Sequence, residues 1–137
     1  MNRYTYEEIE VGTKASFEVT VTQQMQDAFT SITGDENPLH LSDDFAAAKG
    51  YPGRVVYGML TASFYSTLAG MYLPGENSLI HSVEVKCARP VFVGDKLTVE
   101  GRVEEKNDTY RLVKLKAVIR NEKGEKVSKA VMQVGIL

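Results

Sequence analysis

The sequence is poor in the features that mark several common protein classes. Cys87 is the only cysteine among 137 residues, which excludes a disulfide framework and a thiolate zinc cluster and suits a reducing cytoplasm. A formal charge of −2 gives no basic field for nucleic acid and no cationic face for a membrane surface. No glycine-rich phosphate loop precedes a helical pattern, so neither NAD nor ATP is expected as a cofactor.

No segment is typical of a signal peptide or a membrane span. Residues 1–10 are polar and acidic, without the apolar core of a signal peptide. The stretch 55–75 has 21 uncharged residues, but tyrosine, threonine, serine and glycine dilute its apolar character. We interpret it as a helix buried in protein. With 43% hydrophobic and 25% charged residues, the chain is expected to form one soluble globular domain over residues 1–137.

Five segments alternate apolar and polar residues with the period of a half-buried strand. They are residues 15–21, 79–88, 96–104, 110–120 and 126–136. Short turn sequences rich in asparagine, aspartate and glycine separate the last three segments. One strand, then helices, then four strands predicts an α+β fold with a mostly antiparallel sheet.

Helices are predicted between the first two strands. A first helix follows Thr22, which is a suitable N-cap, and it ends at Gly34. Its apolar residues recur at helical spacing and are Met25, Ala28, Phe29 and Ile32. A second helix, capped by Ser42, ends at Gly50. The longest helix, residues 58–73, is apolar on nearly all sides, so the sheet must cover it on several sides.

The run Gly34-Asp35-Glu36-Asn37-Pro38-Leu39-His40 brings a carboxylate, a carboxamide and one of only two histidines together. Pro38 cannot continue a helix that began before it, and it pushes Asn37 toward an extended conformation. Asp35 and His40 therefore lie on a bend, from which both side chains can converge on one water as an acid/base unit. The same residues also fit a glycine helix stop followed by an Asx-Pro turn with an exposed histidine. Spacing alone favours this second interpretation.

Residues 29–46 resemble the hydratase 2 signature of the MaoC-like (R)-specific enoyl-CoA hydratases. An aromatic residue and a small residue precede Gly-Asp-x-Asn-Pro-aliphatic-His, which is followed by five residues and a small one. The matching residues are Phe29, Thr33, Gly34, Asp35, Asn37, Pro38, Leu39, His40 and Ala46. Gly-Met-Leu at 58–60 and Pro-Val-Phe-Val-Gly-Asp at 90–95 are similar to the same family. The resemblance implies a hot-dog fold, in which the sheet wraps around the central apolar helix, and a homodimer.

The resemblance also implies a reaction, the reversible hydration of a trans-2-enoyl-CoA to an (R)-3-hydroxyacyl-CoA without metal or redox cofactor. Asp35 and His40 would be catalytic, activating water and delivering a proton. Gly58 would donate its backbone N–H to the enolate oxygen, although the residues alone equally allow a packing glycine at a helix start. Asn37 either orients the substrate or holds the bend by an Asx-type hydrogen bond, and both roles stay open.

Three residues are assigned structural or peripheral roles. The family commonly has histidine immediately before the glycine at 58, and Tyr57 replaces it here. This departure leaves the chemistry of the motif intact, but the shape and polarity of the pocket rim do not follow from the resemblance. His81 has no carboxylate or cysteine partner at metal-ligand spacing, so we predict a structural role and no zinc site. Cys87 lies on an apolar strand face and is predicted to be a small core residue.

Three other functions remain as alternatives. A dehydratase acting on an acyl-carrier-protein thioester would use the same residues in the opposite direction. A hot-dog thioesterase commonly carries a catalytic carboxylate on or near the central helix, and residues 58–73 carry none. A non-catalytic acyl-CoA-binding module would not need the set of Asp35, Asn37 and His40.

Overall fold

Five antiparallel strands form one sheet in this computed structural model, which describes residues 1–137. The strands are β1 (Lys14–Thr20), β2 (Ser78–Cys87), β3 (Lys96–Asn107), β4 (Leu112–Arg120) and β5 (Lys126–Ile136). Their order across the sheet is β1-β3-β4-β5-β2, so the last three strands form a meander and the first two occupy its edges. All five predicted strands are present, and the prediction of an antiparallel α+β fold is confirmed.

Helices occupy the segment between β1 and β2. They are α1 (Gln23–Thr33), α2 (Pro38–Leu41), α3 (Asp43–Ala48) and α4 (Gly58–Thr67), which continues as a π-helical turn over Leu68–Tyr72. The Thr22 hydroxyl accepts the N–H of Met25 at the start of α1, and Gly34 ends that helix with a φ of 70°. Ser42 caps α3. The predicted start and stop of α1 and the predicted starts of α3 and α4 are therefore confirmed. The plain helix predicted over residues 58–73 is α-helical only as far as Thr67, and α2 was not predicted.

The helix α4 and its π-helical continuation lie against the inner face of the sheet. Buried side chains from both sides form one core, which includes Leu60, Phe64, Tyr65, Leu68, Leu97, Val99, Leu115, Ile119, Met132 and Val134. Each large apolar side chain buried in this way contributes about 1.5–3 kcal/mol. A Cβ on Gly101 would lie only 2.6 Å from Leu68 Cδ2, so glycine lets the helix approach β3 closely. This is the hot-dog arrangement expected from the sequence.

The edge strand β2 is the least buried part of the sheet. Leu79 and Val83 are 50% and 39% exposed, and Cys87 at the end of the strand is exposed as well. The prediction of Cys87 as a core residue is therefore wrong. Its strand pairs on one side only, with β5, and the start of α4 faces Cys87 across an open cleft without burying it.

Two other regions differ from the simplest interpretation of the sequence. On α1, Ala28 and Ile32 are exposed, whereas the polar side chain of Gln26 is fully buried. The first residues are more than an arm, because Tyr6 and Ile9 belong to the core. No helix of the chain combines the length and the apolar character that crossing a membrane requires.

Candidate active site

The bend between α1 and α2 is held by its own side chains. Asp35 Oδ1 accepts the N–H of Asn37 at 3.0 Å, and Asn37 Oδ1 accepts the N–H of Leu39 at 3.0 Å. Pro38 occupies the first position of α2, where its missing N–H needs no partner. The Asx-Pro turn is thus present, and Asn37 makes the Asx-type hydrogen bond that was one of its two expected roles. The other role, orienting the substrate, stays a prediction.

His40 is half-buried in α2 and has a fixed ring, so it is not merely an exposed loop histidine. Its Nδ1 lies 2.7 Å from the carbonyl oxygen of Val55. Because a carbonyl oxygen only accepts, Nδ1 carries the proton, and in the neutral ring Nε2 keeps a free lone pair. The ring also packs on that of Tyr57, with centroids 4.1 Å apart and planes inclined by 31°. One nitrogen is anchored to the backbone, and the other is available to a water or a substrate.

Tyr57 lies beneath the bend rather than on the pocket rim. Only 2% of the residue is exposed, so the tyrosine that replaces the family's histidine lies under the rim and not on it. Its hydroxyl donates to the carbonyl oxygen of Asp35 and lies 2.8 Å from Thr30 Oγ1. Its ring packs between those of His40 and Phe29. Tyr57 therefore connects the two predicted catalytic residues from the buried side.

Gln26 is a polar residue of the site region that sequence reasoning missed. It is fully buried in α1, and its amide nitrogen donates to the carbonyl oxygens of His40 and Val55, both at 3.1 Å. Its amide oxygen accepts the N–H of Tyr57 at 3.4 Å. The only signal in the sequence for its burial was its position: Gln26 lies three residues before the apolar Phe29 and so on the same side of the helix.

A cleft of about 280 Å³ opens between α2, the start of α4 and the end of β2. His40 and Gly58 both line it, so the structure brings these two predicted site residues together, whereas Asp35 and Asn37 do not line it. The N–H of Gly58, at the first position of α4, has no acceptor within the chain. Thr61 also lines the cleft, and its buried hydroxyl has no partner in the chain, which leaves it available to a bound molecule.

Charged groups near the cleft are paired on its outer side. The side chain of Asp43 accepts the backbone N–H of Arg54 at 3.0 Å and its Nε–H at 3.1 Å. The backbone N–H first, and then the guanidinium charge, hold the pKa of the Asp43 carboxyl below its usual range. Arg89, which lines the cleft, forms an ion pair with Glu125 at 3.0 Å. Both pairs are largely exposed and have little effect on stability.

Known proteins share this architecture and its sequence pattern. The (R)-specific enoyl-CoA hydratase of Aeromonas caviae is 40% identical over 95 residues, 69% of this chain and 71% of that enzyme. The (R)-specific enoyl-CoA hydratase of Rhodospirillum rubrum is 33% identical over 105 residues, 74% of this chain and 73% of that enzyme. The solved structure of the (R)-hydratase from A. caviae involved in PHA biosynthesis matches with a TM-score of 0.91. Its identity is 32%, and the match covers 96% of this chain and 99% of that one.

The family assignment rests on most of the chain. A family model described as a MaoC like domain matches residues 6–125, which include every strand of the sheet except β5 and the predicted site residues Asp35, Asn37, His40 and Gly58. The resemblance first seen in residues 29–46 is thereby confirmed. The chain belongs to the MaoC-like domain family.

Proposed function

We propose that this protein is an (R)-specific enoyl-CoA hydratase, which adds water reversibly to a trans-2-enoyl-CoA to give an (R)-3-hydroxyacyl-CoA. The observation that carries the proposal is the shared cleft of His40 and Gly58. There the Nδ1–H of His40 is held by Val55, its Nε2 is free, and the Gly58 N–H has no acceptor in the chain. The hydratases of A. caviae and R. rubrum bear the name of this reaction, which supports the same assignment.

Hydration needs a base that takes a proton from water and an acid that gives a proton to the α-carbon. As the water oxygen bonds to the β-carbon, the acid/base pair takes one proton from it, and the electrons of the double bond shift into an enolate. The same pair then returns a proton to the α-carbon, which restores the thioester carbonyl. His40 Nε2 is free for this transfer. Asp35 does not line the cleft of the single chain, and we assign it to the pair because it lies on the same bend and is joined to the His40 ring through Tyr57. We propose that the two residues act as one unit in this transfer, so neither is assigned alone as the base.

The enolate oxygen needs a donor that is already in place. Gly58 presents a backbone N–H at the positive end of the ten-residue helix α4, and the absence of a side chain lets a thioester approach closely. A donor directed at developing negative charge is among the strongest contributions to catalysis of this type. We assign that role to the Gly58 N–H.

A direct assay tests the reaction. Crotonyl-CoA mixed with the protein is expected to lose the ultraviolet absorbance of its conjugated thioester, and chiral chromatography should identify (R)-3-hydroxybutyryl-CoA. A parallel reaction with a thiol reagent measures free CoA, because a thioesterase would release it. A third reaction presents the same acyl group on acyl carrier protein. Release of CoA would indicate a thioesterase instead, and binding without turnover would indicate a non-catalytic module. A clear preference for the carrier protein would indicate an acyl-carrier-protein dehydratase.

We also propose that the active form is a homodimer paired through β2. This edge strand presents unpaired backbone groups, and its apolar residues Leu79, Ile80 and Val83 are between 36% and 50% exposed. An exposed apolar edge strand is a template for pairing with another chain. Two β2 strands related by a two-fold axis would continue one sheet through both subunits and cover these side chains.

Light scattering tests the dimer. The wild-type protein is expected to have the mass of a dimer or a multiple of it, and Val83→Lys should lower that mass because a charge would lie in the apolar contact. Tyr110→Lys is the matched control, since Tyr110 is 73% exposed in the turn between β3 and β4, and it should leave the mass unchanged. A monomeric wild-type protein with full activity would contradict the proposal.

A further inference from the structure

A single buried side chain connects three segments that build the site. Gln26 has no exposed surface, and its amide makes three hydrogen bonds to the main chain of residues that lie 14, 29 and 31 positions later. Burial of a carboxamide is unfavourable unless its polar atoms are bonded, and here both ends are bonded. None of the three backbone groups belongs to the helix that carries Gln26, so this side chain holds separate segments in a fixed relation.

One of these bonds bears on the proton position in His40. The Val55 carbonyl oxygen accepts both from Gln26 and from the Nδ1–H of the histidine. That carbonyl selects the tautomer with Nε2 free, and its own position is fixed by Gln26. A second bond, to the carbonyl oxygen of His40 itself, fixes the backbone that carries the ring.

The third bond bears on the oxyanion donor. Gln26 accepts the N–H of Tyr57, the residue immediately before Gly58 and the start of α4. Tyr57 in turn supports the His40 ring and donates to the Asp35 carbonyl oxygen. The distance between the free Nε2 of His40 and the Gly58 N–H therefore depends on one buried amide.

We infer that Gln26 is a positioning residue for hydration, which fixes the His40 tautomer and the relation of His40 to the Gly58 N–H. It does not line the cleft, so it acts through other residues and not on the substrate. A displacement of about 1 Å in a reacting group can lower the rate by about 100-fold, so losing a residue that fixes such groups is costly. The inference rests on the proposed hydratase function for its kinetic consequence, whereas the tautomer is independent of that function.

Gln26→Leu tests this role, with Gln24→Leu as the matched control. Gln24 is exposed on the same helix, so its replacement changes the same chemical group without touching the site. Gln26→Leu is expected to lower kcat for crotonyl-CoA by about 10- to 100-fold with KM little changed, since substrate contacts remain. Gln24→Leu should retain wild-type kcat and KM.

The NMR signals of the His40 ring distinguish a positioning role from a merely structural one, because loss of a structural residue alone would leave the tautomer of His40 unchanged. The chain has only two histidines, so a ¹H–¹⁵N spectrum of the rings is simple, and His81→Asn assigns it. The wild type is expected to show a protonated Nδ1, and Gln26→Leu should shift His40 toward a mixture of tautomers. Lost activity with unchanged His40 signals would overturn the inference, because the effect would not pass through the ring.

Gln26→Glu provides a second variant of nearly unchanged shape in case the leucine variant does not fold. An ionised carboxylate cannot donate to the two carbonyl oxygens, whereas a protonated one donates a single bond. The ratio of variant to wild-type kcat should therefore rise as the pH falls. A folded variant with wild-type kcat and His40 signals at every pH would overturn the inference. An inactive wild type would instead reject the hydratase proposal, and the ring spectra would still test Gln26.

Discussion

Asp35→Asn and His40→Gln are each expected to lower kcat for enoyl-CoA hydration by at least about 100-fold. Asparagine at 35 keeps an oxygen for the N–H of Asn37, which Asp35 Oδ1 accepts at 3.0 Å, so the bend persists while charge and basicity are lost. Glutamine at 40 keeps a hydrogen-bonding side chain near Val55 but gains or loses no proton near neutral pH. The measurement is steady-state kcat with crotonyl-CoA, with folding verified by circular dichroism.

The double variant and a neighbouring carboxylate complete this test. Because residues that act as a unit are strongly non-additive, Asp35→Asn combined with His40→Gln should be little slower than either single variant. Glu36→Gln removes an exposed carboxylate from the same bend, where its side chain makes no hydrogen bond, and it should keep wild-type kcat. If both single variants fold and keep most of their activity, the Asx-Pro turn is only structural.

Gly58→Pro is expected to lower kcat by about 100-fold or more, the usual loss when one oxyanion donor is removed. Proline is tolerated at the first position of a helix, and Tyr57 before it already has the extended φ and ψ of −52° and 126° that proline requires. The substitution therefore removes the N–H while the helix start is retained. The measurement compares kcat with crotonyl-CoA between variants of equal thermal stability.

Gly58→Ala is the matched control for the added carbon atoms. A Cβ at this position would lie 3.3 Å from Cys87 Sγ, a close contact that both variants share, whereas only alanine keeps the N–H. Alanine should therefore retain much more activity than proline. Equal losses in both variants would indicate a steric effect, and near-normal kcat in Gly58→Pro would remove the glycine from the mechanism.

Local patterns predict most of the fold because they are set by neighbours in sequence. The strand β5 (Lys126–Ile136) begins and ends as its alternation predicts, and β1 differs from its prediction by one residue at each end. Thr22 and Gly34 define α1 because a side-chain cap and a left-handed residue act within one turn. The π-helical turn at Leu68–Tyr72 has no comparable local signal, and the sequence predicts a plain helix there.

The site is predictable where chemistry and local geometry coincide, and not where distant segments meet. Asp35 and His40 share one short motif, whereas the partners of Gln26 lie far along the chain, so a buried glutamine and a surface glutamine look alike in the sequence. The exposure of Cys87 depends on what covers an edge strand, which the alternation along β2 does not specify. Whether Tyr57 lies on the rim or beneath it depends on how the bend folds over its ring, which the sequence does not specify.

The order β1-β3-β4-β5-β2 also has a consequence for folding during synthesis on the ribosome. The segment that carries His40 and Gly58 emerges before β3, β4 and β5, yet β1 pairs only with β3 and β2 only with β5. A nascent chain that stops before β5 therefore leaves β2 unpaired and the apolar surface of α4 open to solvent. Such exposed intermediates are prone to aggregation. We therefore expect a chain that lacks β5 to aggregate and to show no hydratase activity.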